Sequence, residues 1–471
     1  MKQEVKTSTK SIEKALIFSY FAFYCVIALS LLFKQPFGNP PDEFNRYLIP
    51  QYICEHGTLP NGYEESIRIP AYGFSYAFQP ILPYMLQGYV MRFITLFTAN
   101  ADILFYSARL VDFLFGLIQA SFVLLLSREW FQDKRLSYLF AFIVTFLPQS
   151  IFLHTYVNTD SCCMMSIAIM LYGITRGIKT DFSRTSCIIL SIGIIFCALS
   201  YYNAYGYILS CILLFTAYFL HLRDNRLTFL SKPFLKKGIF ISAIVLLGIS
   251  WWFIRSYLLY DGDFLGLRTR DLCGALYGNE NMRPDVRITY QSMGYTIPSM
   301  LLQSDFLVLS INSFICMYGP MIMTTSVWIY RIYKLLFLTG LAGNAIALKL
   351  NGMGEPIFDR PVLRKFFHLN MVMCMIIPFA LSVTYSFRMD YQPQGRYLLP
   401  ALIPLCYYTV WGFEKCICLF ENILAAARKE KPGSKWIPKM LTGLTLILLL
   451  VVIFALLITV YGYAFPYYAS L

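Results

Sequence analysis

The sequence predicts an all-α, polytopic membrane protein of about eleven transmembrane helices. Three observations carry this. Hydrophobic residues fill 58% of the 471 positions and charged residues only 14%, more apolar side chain than one soluble core can hide. The apolar residues fall in runs close to the ~20 residues that cross a hydrocarbon layer. Basic residues collect in the short loops between alternate runs, as the positive-inside rule requires of cytoplasmic loops.

Taken in order, Lys2, Lys6, Lys10 and Lys14 precede an apolar run from Ala15 to Phe33. The run is long for a signal-peptide core and no small-x-small cleavage site follows it, so it reads as an uncleaved first span. Pro36, Pro40 and Pro41 stop the helix from continuing. Further runs lie near 102–126, 137–156, 160–175, 187–202, 204–220, 238–257, 321–348, 366–386, 397–414 and 440–463. Arg331 and Lys334 interrupt the 321–348 run, and the 187–220 stretch can also break around Tyr201-Tyr202-Asn203. Residues 1–463 thus read as one transmembrane domain, with the N-terminus cytoplasmic and the C-terminus outside. Two long outer segments, 34–101 and 260–320, are rich in aromatics and Pro, and loops of that length are usually functional. Within them Phe44–Ile53 and Phe306–Met317 are amphipathic or apolar but too short to span, and read as interfacial helices.

The net charge of +13 invites a nucleic-acid reading. Its distribution answers otherwise. The N-terminal tail and segments 127–136, 176–186, 221–237, 349–365 and 415–439 hold most of the 39 Lys and Arg but fewer than half of the 26 Asp and Glu. A nucleic-acid binder would gather its basic residues on one soluble face. Spread over short loops, they orient the chain in a membrane. No internal repeat is visible, which counts against transporters built from inverted repeats.

Several chemistries are absent. His56, His154, His221 and His368 are isolated, no Gly-rich phosphate loop ends in Lys-Ser or Lys-Thr, and the 13 Cys form no Cys-x-x-Cys pair. Cys54 and Cys273 are the two cysteines of the long outer loops. They read as free thiols, with a disulfide the alternative.

The ionisable residues converge on the outer ends of the helices. Asp42 and Glu43 follow Pro40-Pro41 at the mouth of the bundle, and Asp42 reads either as a helix cap or as a reactive carboxylate. Arg109 and Asp112 share a helix face, as a structural ion pair or as an anchor for an anionic head group. Asn158-Thr159-Asp160 occupy a short outer turn, where Asp160 caps a helix or faces the same cavity as Asp42. Arg255 follows Trp251-Trp252, and Arg396 follows Gln394-Gly395, where the missing side chain lets the backbone approach closely. Both arginines read as interface snorkels or as phosphate ligands. Acids beside a hydroxyl suit general-base work, and arginines at membrane level suit a lipid-linked phosphate leaving group.

Pro41-Asp42-Glu43, Ala108-Arg109-Leu110, Leu147-Pro148 with Asn158 and Asp160, the stretch 251–263, Ser313–Gly319 and Gln394–Pro400 together resemble a known family. It is a bacterial family of polytopic membrane proteins of unassigned function, related to GT-C-type glycosyltransferases. The resemblance implies a GT-C-like bundle with interfacial helices in two long outer loops, in a bacterial plasma membrane. It implies that an acid of the first outer loop is catalytic, as base or metal holder; the matching residue is Asp42, with Glu43 beside it. A second-loop acid assists, and Asp160 matches. Arg396, Arg255 and Arg109 are the candidates for the donor phosphate, and Arg46, Tyr397, Gln394 and Asn158 for the substrate. Where the family often has His three residues after the Glu, this sequence has Arg46.

The implied activity is transfer of a sugar from a polyprenyl-phosphate donor to a cell-envelope polysaccharide, glycolipid or protein on the outer face, by a single inverting displacement. The alternatives are an envelope polysaccharide polymerase using a pyrophosphate-linked oligosaccharide, and a transporter of lipid-linked sugars. Mg or Mn could be held through carboxylate oxygens, although no full ligand set is visible.

Overall fold

A computed structural model describes residues 2–223, 226–228, 230–349, 358–428 and 436–471. Helix α1 runs Lys2–Lys34 and stops just before Pro36, as the proline pattern predicts. The first long loop follows. It carries α2 (Glu43–His56), closed by Gly57 at φ 71, and α3 (Leu82–Ile94), which opens on Pro83. Helix α4 (Ala101–Trp130) is capped by Asn100, whose side chain accepts from the amides of Asp102 and Ile103.

The predicted single span 137–156 is two helices, α5 (Lys134–Phe146) and α6 (Pro148–Leu153). Pro148 has no N–H to continue α5, and it holds Leu147 in an extended conformation (φ −56, ψ 127). Next come α7 (Asp160–Lys179), α8 (Arg184–Ala198) and α9 (Tyr205–Phe219). The break anticipated at Tyr201-Tyr202-Asn203 is present, as a short 3-10 turn at Tyr202–Ala204. One small antiparallel hairpin, His221–Arg223 with Arg226–Thr228, departs from the all-helical pattern.

Helix α10 (Lys232–Leu259) leads into the second long loop, with α11 (Leu267–Tyr277), α12 (Ile297–Gln303) and α13 (Phe306–Ile315). Helix α14 (Val327–Lys349) starts later than the predicted run at 321, because Tyr318 and Met323 close a turn before it. The last elements are α15 (Pro361–Arg388), a 3-10 turn (Gly395–Ala401), α16 (Leu402–Arg428), α17 (Trp436–Leu457), a π-helical turn (Ile458–Ala464) and α18 (Phe465–Ala469).

Six described helices are long and apolar enough to cross a membrane: stretches of α1, α4, α7, α10, α15 and of α17 through α18. The other predicted runs are helical too, over α5–α6, α8, α9, α14 and α16, but shorter, broken or interrupted by charge. The two stretches read as interfacial are α2 and α13, of 14 and 10 residues. Close helix contact rests on small residues, as membrane bundles favour. A side chain on Gly340 of α14 would stand 2.5 Å from the Thr409 carbonyl of α16, and Gly412 of α16 packs back on Gly340. Cys54 and Cys273 are both free and buried, in separate hydrophobic clusters.

Candidate active site

The two long loops fold onto each other at one end of the bundle. The Asn279 amide donates to the Ala71 carbonyl at 3.0 Å, and the Tyr260 hydroxyl donates to the Asn61 carbonyl at 2.9 Å. Between them and the ends of α7, α8 and α15 lies a cavity of about 370 Å³. Asp42, Arg46, Arg396 and Tyr397 line it.

Glu43 and Arg109 anchor this end, and neither reaches the cavity. Arg109 Nε and Nη2 donate to Glu43 Oε1 and Oε2 at 2.8 and 2.6 Å, and both side chains are 0% exposed. Arg109 Nη1 donates to the Leu32 and Gln35 carbonyls at 2.7 and 2.8 Å, and Nη2 to Pro36 at 3.2 Å. All five guanidinium N–H groups are therefore used. Glu43 also accepts from the amides of Gly38 and Val157, both at 3.1 Å. This closed pair ties the end of α1 to α2, α4 and the turn before α7. Its geometry leaves Glu43 no oxygen for proton transfer and Arg109 no donor for a phosphate. The roles expected for them, catalytic acid and phosphate anchor, do not fit. Nor does Arg109 pair with Asp112. That carboxylate is buried, and Gln87 Nε2 donates to it at 2.6 Å.

Asp42 is where the loop turns into α2. Its backbone is left-handed (φ 61, ψ 4), a strained region for a residue with a Cβ, and its side chain makes no capping hydrogen bond. The capping reading of Asp42 therefore fails. Instead its Oδ2 accepts from Arg396 Nη2 at 2.7 Å and lies 3.8 Å from Arg46 Nη2. Its side chain keeps 29% of its surface exposed. Burial works against the charged form, but the Arg396 and Arg46 guanidiniums outweigh it and hold the carboxyl below its ordinary value.

Arg46 bridges two acids. Its Nη1 donates to Asp160 Oδ2 at 3.1 Å, while its Nη2 faces Asp42. Asp160 is 4% exposed and is not among the residues that line the cavity; it stands behind Arg46 as its counter-ion. Arg396 is 4% exposed, and its Nε and Nη1 are buried without a partner. Unpaired buried donors are rare and call for a ligand or water.

The remaining candidates divide. Tyr397 lines the cavity and its hydroxyl donates to Gln392 Oε1. Gln394 does not line it, and its Oε1 is buried without a partner. Asn158 is consumed by its own turn: its amide donates to the Leu153 and Tyr156 carbonyls, and its oxygen accepts from the Ser161 amide. Arg255 is turned away, with Nη2 on the Pro60 carbonyl at 2.7 Å, stapling α10 to the first loop. Gly395 does allow a close backbone approach, but to α13 rather than to a ligand. A Cβ there would stand 2.0 Å from the Phe314 amide nitrogen. Gly395→Ala is expected to displace the Arg396 turn, read as a lower unfolding temperature in detergent together with lost activity.

The cavity also contains residues that the sequence did not single out. Tyr72, Phe74, Tyr76, Arg270, Arg287 and Asp390 come from the loops. Asp390 accepts from Gln392 Nε2 at 2.7 Å, and burial pushes its carboxyl up from the ordinary value. The density of aromatics in both loops was visible in the sequence; which arginines turn inward was not.

The donor set is a poor fit for a divalent cation. The Arg46 guanidinium lies between Asp42 and Asp160, so an ion held by both carboxylates would have to displace it. Among the described residues no three His, Cys, Asp or Glu side chains converge to hold a metal.

No family model matches the sequence, and no curated protein matches it. Solved structures do match. The oligosaccharyltransferase AglB from Archaeoglobus fulgidus, in complex with an inhibitory peptide and a dolichol-phosphate, aligns at TM-score 0.51 and 14% identity over 95% of this chain. An Archaeoglobus fulgidus oligosaccharyltransferase in the apo form aligns at 0.52, also with 14% identity, over 94% of this chain. This fold is GT-C-like. ArnT from Cupriavidus metallidurans bound to undecaprenyl phosphate aligns at 0.49 and 14% identity, over 97% of this chain and 74% of ArnT. The chain spans about half the length of AglB, 55% of it. In this GT-C-like bundle the cavity is walled by the first loop, the second loop and the turn into α16.

Proposed function

We propose that this protein is a membrane glycosyltransferase. It moves a sugar from a polyprenyl-phosphate-linked donor to a polysaccharide, glycolipid or protein of the cell envelope, at the outer face of a bacterial plasma membrane. One observation carries the reading: at the wall of a cavity Arg396 holds Asp42 with one nitrogen and keeps its other two nitrogens buried and unpartnered. The AglB likeness supports the fold under it, and that enzyme's structure contains a dolichol-phosphate.

The chemistry follows from the two side chains. The donor phosphate places an oxygen against a free N–H of Arg396, at Nε or at Nη1, where charge develops as the glycosidic C–O bond breaks. An acceptor hydroxyl lies against Asp42. Its oxygen attacks the anomeric carbon from the face opposite the phosphate, Asp42 takes its proton, and polyprenyl phosphate leaves with the bonding electrons. A single displacement of this kind inverts the anomeric centre. Arg46 and Asp160 hold Asp42 in place, and the Glu43–Arg109 pair holds the backbone that carries it.

Purified protein with labelled polyprenyl-phosphate sugars tests the reading. Arg396→Ala is expected to raise the donor KM by ~10- to 100-fold, the worth of charge-assisted hydrogen bonds. Full activity in that variant would remove the clamp. The pH profile carries a second sign. Asp42 works as the carboxylate, which Arg396 and Arg46 favour, so activity is lost only as pH falls below the ordinary aspartate range, ~3.9. Removing the Arg396 charge shifts that acid limb upward. A limb that stays in place in Arg396→Ala would mean that Asp42 is not the titrating group.

A further inference from the structure

We infer that the acceptor is a saccharide carrying an anionic group, a carboxylate or a phosphate, and that it docks on a second arginine pair in the same cavity, Arg270 and Arg287. The inference rests on the glycosyltransferase reading above and adds the chemical class of the acceptor.

The cavity holds two pairs of arginines in different states. Arg46 and Arg396 are 5% and 4% exposed, and each faces a carboxylate. Arg270 and Arg287 come from the second long loop and are more open; Arg270 keeps 17% of its side-chain surface. Arg270 Nε and Nη2 share one oxygen of Asp271, at 3.0 and 2.7 Å. Arg287 has no ion-pair partner among the described residues. Its Nε donates to the Met282 carbonyl at 2.7 Å, and its Nη2 is buried without a partner. Asp390, the other carboxylate of the cavity wall, is held by Gln392 instead.

Aromatic rings fix these guanidiniums. Arg287 lies 5.1 Å from the Tyr72 ring centre and 5.9 Å from that of Phe74, and Arg270 lies 5.7 Å from Phe74. A cation stacked in this way is oriented at little entropic cost and is less hydrated than a free one. Aromatic faces beside a planar fork suit one kind of ligand: a sugar ring for the face, and an anionic group for the fork. A neutral glycan could offer a hydroxyl oxygen to the buried Arg287 N–H, but it would leave the guanidinium charge without a counter-ion, whereas an anionic group meets both.

The lipid donor belongs to the inner pair. The wall that includes Arg396 also includes Leu381 of α15, which is 42% exposed and gives a polyprenyl chain an apolar flank. Tyr72, Phe74, Arg270 and Arg287 all come from the loops and include no spanning helix.

The test uses the full-length protein in lipid nanodiscs and calorimetric binding of four probes: trigalacturonic acid, a galactose trisaccharide with a terminal phosphate, neutral galactotriose, and undecaprenyl phosphate. One or both anionic trisaccharides are expected to bind about tenfold or more tighter than galactotriose, the worth of a charge-assisted hydrogen bond. Which of the two wins distinguishes a carboxylate acceptor from a phosphorylated one. The preference should vanish in Arg287→Gln, return in part in Arg287→Lys, and persist in Arg396→Gln. Equal binding of all three trisaccharides overturns the inference. So does an Arg287→Gln variant that loses undecaprenyl phosphate as fully as it loses the acidic sugar, because the second pair would then serve the donor. The donor reading fails separately, if Arg396→Gln leaves undecaprenyl phosphate binding unchanged. Thermal unfolding of each variant confirms that the fold is retained.

Discussion

Asp42→Asn is expected to lower turnover by about 10²- to 10⁴-fold, the range for loss of a general base. The substitution keeps the shape of the side chain and one oxygen for Arg396 Nη2, so the turn before α2 should hold. What it removes is the charge that accepts the proton. It also leaves Arg46 and Arg396 with one counter-ion fewer, and donor phosphate should bind as well as before, or better. The expected signature is a large fall in kcat with an unchanged or lower donor KM, measured with labelled polyprenyl-phosphate sugars. Wild-type turnover in this variant would remove Asp42 from the chemistry. A fall confined to KM would make it a binding residue.

The second large effect is on stability. Glu43→Gln leaves the Arg109 guanidinium charged in a site with 0% exposure, and Arg109→Met leaves the Glu43 carboxylate there. Breaking a buried ion pair from one side costs about 3–5 kcal/mol. Both single variants should therefore lose folded protein, seen as a lower unfolding temperature in detergent and a smaller monodisperse fraction. The double variant Glu43→Leu with Arg109→Met should lose less than the sum, since it leaves no charge unpaired. The outcome against this is a Glu43→Gln protein that unfolds at the wild-type temperature but is inactive. That result would return Glu43 to the chemistry.

These two variants mark the limit of what sequence reading could separate. Asp42 and Glu43 are adjacent carboxylates after the same Pro-Pro pair, and nothing in their identity tells which points inward. A left-handed turn at Asp42 decides it, sending one side chain to Arg396 and the other into the bundle. The helices were legible because run length and loop charge are local properties, and they came through with the correct order. Leu147-Pro148 is visible as a motif, and its proline is what ends α5. The arginines were harder. Arg109, Arg255, Arg270, Arg287 and Arg396 all stand near helix ends or in loops. Their partners, at Glu43, Pro60, Asp271, Met282 and Asp42, range from the next residue to the far end of the chain. Contacts between distant segments leave no periodic trace in either segment.

The hydrogen bond between Asp42 and Arg396 joins residues 354 positions apart, and that between Asn39 and Tyr467 joins residues 428 apart. At ~5–20 residues per second, ribosomes need on the order of tens of seconds to pass from the first partner to the second. Throughout that interval the first loop has already been delivered, and its acid has no arginine from the turn before α16 to hold it. Assembly of the site therefore waits until synthesis and insertion have passed Arg396. An insertion defect anywhere between α4 and α15 would starve the site of half its charges, however sound the residues themselves.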